Sequence, residues 1–151
     1  MYKHTGIIHT HHIVKEDTPI QGYFAPDGKS AIEIFPEYAE GLQNIEGFSH
    51  LILIYHFHEA GCCELVAKPF LDKEKKDIFA IRYFNRPNPI GLSIVKVYRV
   101  NGNTLDIGEV DMLDGTPLLD IKPYIPQFDI KENVKDGWYQ RASEHNKYMA
   151  E

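Results

Sequence analysis

Two histidines one residue apart, His56 and His58, end an apolar run and are followed by Glu59 and Glu64. On a strand such residues share a face, so both imidazoles can address one metal ion, with a carboxylate as third ligand. The alternative is one histidine satisfied in the core and one polar group at the strand end. A second histidine group, His9, His11 and His12 with His4 nearby, falls in a polar stretch, where such clusters are usually solvated surface. Cys62 and Cys63 are adjacent, without the two-residue spacer of redox and zinc motifs, and read as reduced, structural or inert thiols.

Two further segments carry charge in patterns that suit a ligand. Arg82 to Ser93 packs two arginines, two prolines and two asparagines into a stiff polar loop. Little freedom remains there to be lost on holding a planar or anionic group. Asp111 and Asp114, with Asp120 in the following segment, place three carboxylates within ten residues. They suit a hydrolytic acid/base pair or a site for a cation such as an amine, a sulfonium or a metal. Asp114-Gly115 is equally the signature of a plain turn.

The elements that position these groups are mostly strands. Thr5–His9 begins one, and a long polar loop runs from His9 to Pro26. Ala31–Phe35 alternates apolar and polar residues, Pro36 stops it, and Glu37–Leu42 reads as a helical turn. Phe48–His58 is apolar enough to predict a central strand buried on both faces. Ile78–Ile81 predicts a short strand. Leu92–Val100 and Thr104–Val110 predict a hairpin through Asn101-Gly102, and Leu118–Ile121 a last strand. Trp138, Arg141, His145 and Tyr148 stand at near-helical spacing and predict a terminal helix. Seven or so strands with almost no helix predict a mainly β fold, a small closed or nearly closed β-barrel with short helices.

Length and charge narrow the function. The 151 residues suit one domain over 1–151, with 43% hydrophobic and 25% charged residues. No apolar run approaches the ~20 residues that span a bilayer, and the first residues lack a signal-peptide core, so a cytoplasmic protein is expected. The net charge of −6 argues against non-specific binding to nucleic acid, including DNA, or to an anionic membrane. Neither a Gly-x-Gly-x-x-Gly fingerprint nor a Gly-Lys-Ser/Thr loop is present.

Taken together, Phe35–Leu42, Ile45–Leu51, Phe57-His58, the loop Arg86-Pro87-Asn88-Pro89-Ile90-Gly91-Leu92-Ser93 and the stretch Asp111–Tyr124 resemble the TsaA-like, or TrmO, family of tRNA methyltransferases. The likeness covers about residues 3 to 128. It implies a β-barrel that binds S-adenosylmethionine (SAM), a homodimer, and methylation of N6 of threonylcarbamoyl-adenosine at position 37 of threonine tRNA. By the same resemblance the cofactor would be held by Pro19, Ile20, Gln21, His58, Glu59, Arg82, Leu92, Asp111, Met112, Leu113 and Asp114. Chemical type suggests Asn88 as acceptor for the exocyclic amine, and His58 or Asp114 for its proton. A local basic patch of Lys73, Lys75, Lys76 and Arg86 would meet the RNA. Where family members commonly have Thr-Arg-Ser-Pro, this chain has Ile81-Arg82-Tyr83-Phe84. A metal-dependent enzyme using His56 and His58, close to the His-x-His…Glu pattern of cupin barrels, is the competing expectation. It lacks a further histidine from a later strand, since only His145 follows. A barrel that binds SAM without catalysis is the third.

Overall fold

Along β6 (Ile90–Asn101) the residues Gly91, Ser93 and Val95 are buried while Leu92, Ile94 and Lys96 are exposed, the period-two pattern of a strand with one face on a core. A computed structural model describes residues 1–12 and 30–140. Their chain forms β1 (Gly6–His9), β2 (Ser30–Ile34), β3 (His50–His56), β4 (Val66–Ala67), β5 (Lys76–Asp77), β6, β7 (Thr104–Gly108) and β8 (Thr116–Pro123). Six of these close into an antiparallel barrel in the order β1-β2-β7-β6-β3-β8, with β1 returning to pair with β8. The expected closed β-barrel is therefore what the chain forms.

The chain divides into two compact units, Met1–Glu59 with Ile90–Tyr124, and Ala60–Pro89 with Ile125–Glu151. The first holds the barrel. Its interior is filled by Ile8, Ile32, Leu51, Leu53, Val95, Leu105, Ile107 and Leu118, all essentially inaccessible. Interiors packed this way leave no channel, so chemistry is displaced to the rims. The second unit contains β4, β5, a 3-10 turn over Ile78–Ala80 and a short helix α1 (Pro126–Asp129). Its small core is Ala67, Ile78 and Ile81, with Tyr83 and Trp138 packed against them.

Two expectations about elements are corrected. Ile78–Ile81 is not a strand: the Ile81 amide donates back to the Ile78 carbonyl, closing a 3-10 turn. β3 is buried on one face only, because Leu51, Leu53 and Tyr55 point inward while Ile52 and Ile54 stay half-exposed. Phe48–His58 looked two-sided because its outward residues are aliphatic as well. For the terminal helix, Trp138 is placed, and its indole Nε1 donates to the Ala80 carbonyl at 2.7 Å. Arg141, His145 and Tyr148 lie outside the described residues.

Turn chemistry fixes the register. Asn101 pairs with Thr104, leaving Gly102-Asn103 as a two-residue hairpin loop, and Gly102 has φ +64°. A positive φ at the first central position alone is the type II′ arrangement that glycine favours. Asn103 then ties the hairpin tip to the end of β2, its Nδ2 donating to the Ile34 carbonyl at 2.8 Å. At Gly6 the constraint is space: a Cβ there would overlap the Glu33 carbonyl oxygen across the β1–β2 pair. Gly6→Ala should lower stability by roughly 1–3 kcal/mol. Gly41→Ala, where nothing lies within 4 Å of the added methyl, should change little. Urea unfolding of both variants checks this.

Candidate functional site

Strand direction collects the barrel's candidates at one rim. β1 ends at His9, β3 at His56, and β7 at Gly108, while β2 starts at Ser30, β6 at Ile90 and β8 at Thr116. In an antiparallel barrel these termini share one end, as the pairings Ile8↔Thr116, His56↔Ile90 and Ser30↔Ile107 show. His58, Glu59 and the loop Asp111–Asp114 therefore stand on the same rim as the segment His9–His12.

Asp111 is held from inside the barrel. The Ser93 hydroxyl donates to Asp111 Oδ1 at 2.6 Å, and the Tyr55 hydroxyl lies 2.7 Å from Ser93 Oγ. Since Ser93 spends its proton on the carboxylate, Tyr55 is the donor to Ser93. Tyr55 and Ser93 are each about 5% exposed, and Asp111 is half-buried. Gly91 explains how the tyrosine fits: a Cβ at that position would stand 2.6 Å from Tyr55 Cζ and 2.7 Å from Phe57 Cζ. Phe57 meets the Tyr55 ring edge-on, with centroids 5.5 Å apart at 84°.

Asp114 is shaped by a turn and by β1. The Thr116 amide donates to the Leu113 carbonyl at 3.3 Å, and Gly115 has φ +80°. Asp114-Gly115 is thus the centre of a type II turn, which requires a positive φ at its third residue. The turn also serves the rim. The Asp114 amide donates to the His12 carbonyl at 2.8 Å, and its Oδ1 accepts from the Thr10 amide at 3.0 Å. The Thr10 hydroxyl donates to the Met112 carbonyl at 3.0 Å. His9 sits between two carboxylates, 2.9 Å from Glu33 Oε1 and 3.9 Å from Asp114 Oδ1. Met112 turns its side chain into the barrel core, 2% exposed, and offers the rim only its main chain. Leu113 is half-buried and Asp114 exposed.

Other expected residues separate from this group. Leu92 points out of the barrel wall, 51% exposed, and pairs with Ile54. Asp120 is on the outer face of β8, 3.0 Å from Lys122 Nζ, so the three carboxylates of 111–120 do not form one cluster. His56 faces outward, and among the described residues no three His, Cys, Asp or Glu side chains converge as a metal would require. Pro19, Ile20 and Gln21 lie outside the described residues.

In the second unit Arg82 and Asn88 are exposed. Arg86 is partly consumed by its own loop, with Nη1 donating to the carbonyls of Ile81 at 2.9 Å and Tyr83 at 3.1 Å. Asn85 spans Gly61 to Glu64: its Oδ1 accepts from the Gly61 amide at 2.6 Å and its Nδ2 donates to Glu64 Oε2 at 3.0 Å. The bracketed Cys62 and Cys63 are both free, as expected of reduced thiols, and both are exposed, which corrects the structural alternative in their reading as structural or inert thiols. Burial, and then the negative charge of Glu64, push the Tyr83 phenol up from its ordinary range. Lys76 lies 3.3 Å from Asp72 and 3.2 Å from Glu74 and is 15% exposed, whereas Lys73 and Lys75 are exposed.

The Tyr55–Ser93 link was missed in the sequence, and the signal for it was a serine at an inward position between Gly91 and Val95. Among the described residues no helix is long and apolar enough to cross a membrane.

The chain is similar in sequence and fold to proteins named for S-adenosyl-L-methionine binding and for tRNA methylation. The family model of the tRNA-methyltransferase O N-terminal domain matches residues 7–130. A "probable S-adenosyl-L-methionine-binding protein" of Pyrococcus abyssi is 51% identical over 140 residues, 93% of this chain and 76% of the relative. The mouse tRNA (adenine(37)-N6)-methyltransferase is 35% identical over 144 residues, 91% of this chain but 32% of that enzyme, so the chain spans about a third of its length. The crystal structure of TrmO from Pseudomonas aeruginosa superposes with a TM-score of 0.76 at 28% identity, over 99% of this chain and 73% of that one. This chain belongs to the tRNA-methyltransferase O family.

Asp72 gives the second unit a dependence on pH. Burial pushes its carboxyl up, but the amides of Glu74 and Lys73 and the Lys76 ammonium together hold it below the ordinary carboxylate range. A carboxyl depressed in the folded state adds stability above its unfolded value, ~3.9, and that stability is lost as pH falls through the folded value. Asp72→Asn should therefore flatten the acid limb of stability below about pH 4, read by thermal melting from pH 6 to 2.5.

Proposed function

We propose that this chain is a SAM-dependent methyltransferase acting on N6 of adenosine 37 in tRNA, with threonylcarbamoyl-adenosine in threonine tRNA as the target. The observation that carries the reading is the family match across the barrel whose rim presents Asp111 and Asp114. SAM combines a sulfonium, an amino-acid group and an adenine, so its site needs carboxylates, a cation and apolar or amide surfaces. Asp111, fixed by donors from inside the barrel, and Asp114 fit the positive end. Arg82 would take the cofactor's carboxylate, with Leu113 and Gln21 against the base. Pro19, Ile20, His58, Glu59 and the Met112 main chain complete the set.

Bound there, the cofactor supplies an electrophilic methyl group, whose transfer to N6 releases a thioether and a proton. The protein's part is to hold the nucleophile in near-attack geometry, which alone can supply ~7–11 kcal/mol of the barrier. The exocyclic nitrogen is a poor nucleophile because its lone pair is delocalised. Asn88, exposed in its loop, would accept a hydrogen bond from the amine. His58 or Asp114 would receive the proton.

A homodimer is part of the proposal. Ile52 pairs with Ile94 and Ile54 with Leu92 on the outer wall, where Ile90, Leu92 and Ile94 are 39%, 51% and 42% exposed. An uncharged aliphatic stripe is self-complementary, as a two-fold interface must be. A second copy seated on it would cover Leu92, so Ile94→Asp should convert a dimer to a monomer in sedimentation analysis. A monomeric wild type would contradict this part.

The test of the activity is methylation of modified and unmodified threonine tRNA with labelled SAM. Methylated threonylcarbamoyl-adenosine is expected. Calorimetric SAM binding without methylation of any tRNA would instead favour a non-catalytic SAM-binding barrel, a reading the P. abyssi relative's name suits. For the RNA contact, Lys73 and Lys75 are available, whereas Lys76 and Arg86 are engaged internally. Lys73→Ala with Lys75→Ala should weaken tRNA binding and reduce the salt slope by about 0.7–0.9 per lysine. Filter binding across a salt series reads both effects.

A further inference from the structure

We infer that Ser93 and Tyr55 are positioning residues that fix the Asp111 carboxylate for the cationic cofactor. The inference rests on the cofactor site proposed above and adds two residues that neither family resemblance nor sequence spacing assigns to it.

Inside a small barrel, inward positions are ordinarily filled by aliphatic side chains, as Leu53 and Val95 do beside this pair. A buried hydroxyl without a partner destabilises a fold, so two adjacent ones call for an explanation. Here they are joined to each other and to one carboxylate. Tyr55 donates to Ser93 at 2.7 Å and Ser93 to Asp111 at 2.6 Å, the short distance of a hydroxyl meeting a charged acceptor. Each donor polarises the next, so the carboxylate feels both.

The geometry behind the pair is equally specific. Gly91 leaves the space that the Tyr55 and Phe57 rings occupy, and the edge-on Phe57 ring packs against Tyr55. Gly91 and Phe57 thus seat the Tyr55 ring of β3, and Tyr55 reaches one oxygen of Asp111 in the β7–β8 loop through Ser93 of β6. A carboxylate held in one orientation before binding spares a ligand the cost of ordering it. That is a purpose a purely apolar barrel end could not serve.

The experiment is calorimetry of SAM binding to the full chain and its variants, with melting temperatures measured alongside so that each is titrated while folded. Ser93→Ala should weaken SAM binding about tenfold, and Tyr55→Phe, which removes only the hydroxyl, about threefold. Ser93→Thr, which keeps the donor, should stay within about twofold of wild type. In an Asp111→Asn background the Ser93→Ala change should add nothing, whereas a merely structural role would weaken both backgrounds alike. If Ser93→Ala and Tyr55→Phe bind SAM as the wild type does while Asp111→Asn does not, the positioning role is overturned and the cofactor site stands. If the wild-type chain itself does not bind SAM, the cofactor reading is overturned and this role falls with it.

Discussion

Closure of the barrel through the β1–β8 pairing is the constraint on which the remaining structure depends. Once six antiparallel strands close, no edge is left and the interior is filled by side chains, so polar chemistry is confined to strand ends. Direction then decides which ends meet. The C-terminal ends of β1, β3 and β7 and the N-terminal ends of β2, β6 and β8 share a rim. Residues as distant in sequence as Thr10 and Met112 become hydrogen-bonded neighbours. The acidic loop does not fold by its own propensity alone. It is laced to the end of β1 by amides and carbonyls and braced from within by β3 and β6.

Much of this was legible in the sequence, for identifiable reasons. The β6–β7 hairpin was expected through Asn101-Gly102, but its loop is Gly102-Asn103, because Gly102 supplies the positive φ while Asn101 stays paired with Thr104. Alternation in β2 gave its inward face directly, whereas in β6 the aliphatic Leu92 and Ile94 point outward and Gly91 and Ser93 inward. β3 misled because Ile52 and Ile54 are as apolar as Leu51 and Leu53. Hydrophobicity marks surface to be covered without saying whether the same chain covers it. Ile78–Ile81 misled because a four-residue apolar run carries too little periodicity to separate a strand from a 3-10 turn.

The site was legible in its parts and opaque in its assembly. Asp111 and Asp114 stood out as a cluster beside a turn signature, and they do share one rim. Asp120 looked like a third member but lies on the outer wall beside Lys122, because the register shift opposite Ile54 and Tyr55 turns it off the face that Thr116 and Leu118 share. The link from Tyr55 through Ser93 to Asp111 needs the β3–β6 register and the course of the β7–β8 loop at once, and no local pattern encodes both. Charge behaved similarly. The chain is acidic as a whole, yet residues 60–89 contain six Lys or Arg against four Asp or Glu. Of those cations Lys76 is neutralised within its own unit and Arg86 is spent on carbonyls, which a count of residues cannot reveal.

The pairing of Gly6 with Leu118 also bears on how the chain reaches its fold. Contacts that join residues more than a hundred positions apart cost loop-closure entropy before they return any stability, and they slow folding. The β6–β7 hairpin spans a two-residue turn and is favoured to form early. β1 has no partner on its second side until β8 has been synthesised, so during translation the first strand presents an open edge. That places the most aggregation-sensitive interval of the chain's life before its last strand emerges.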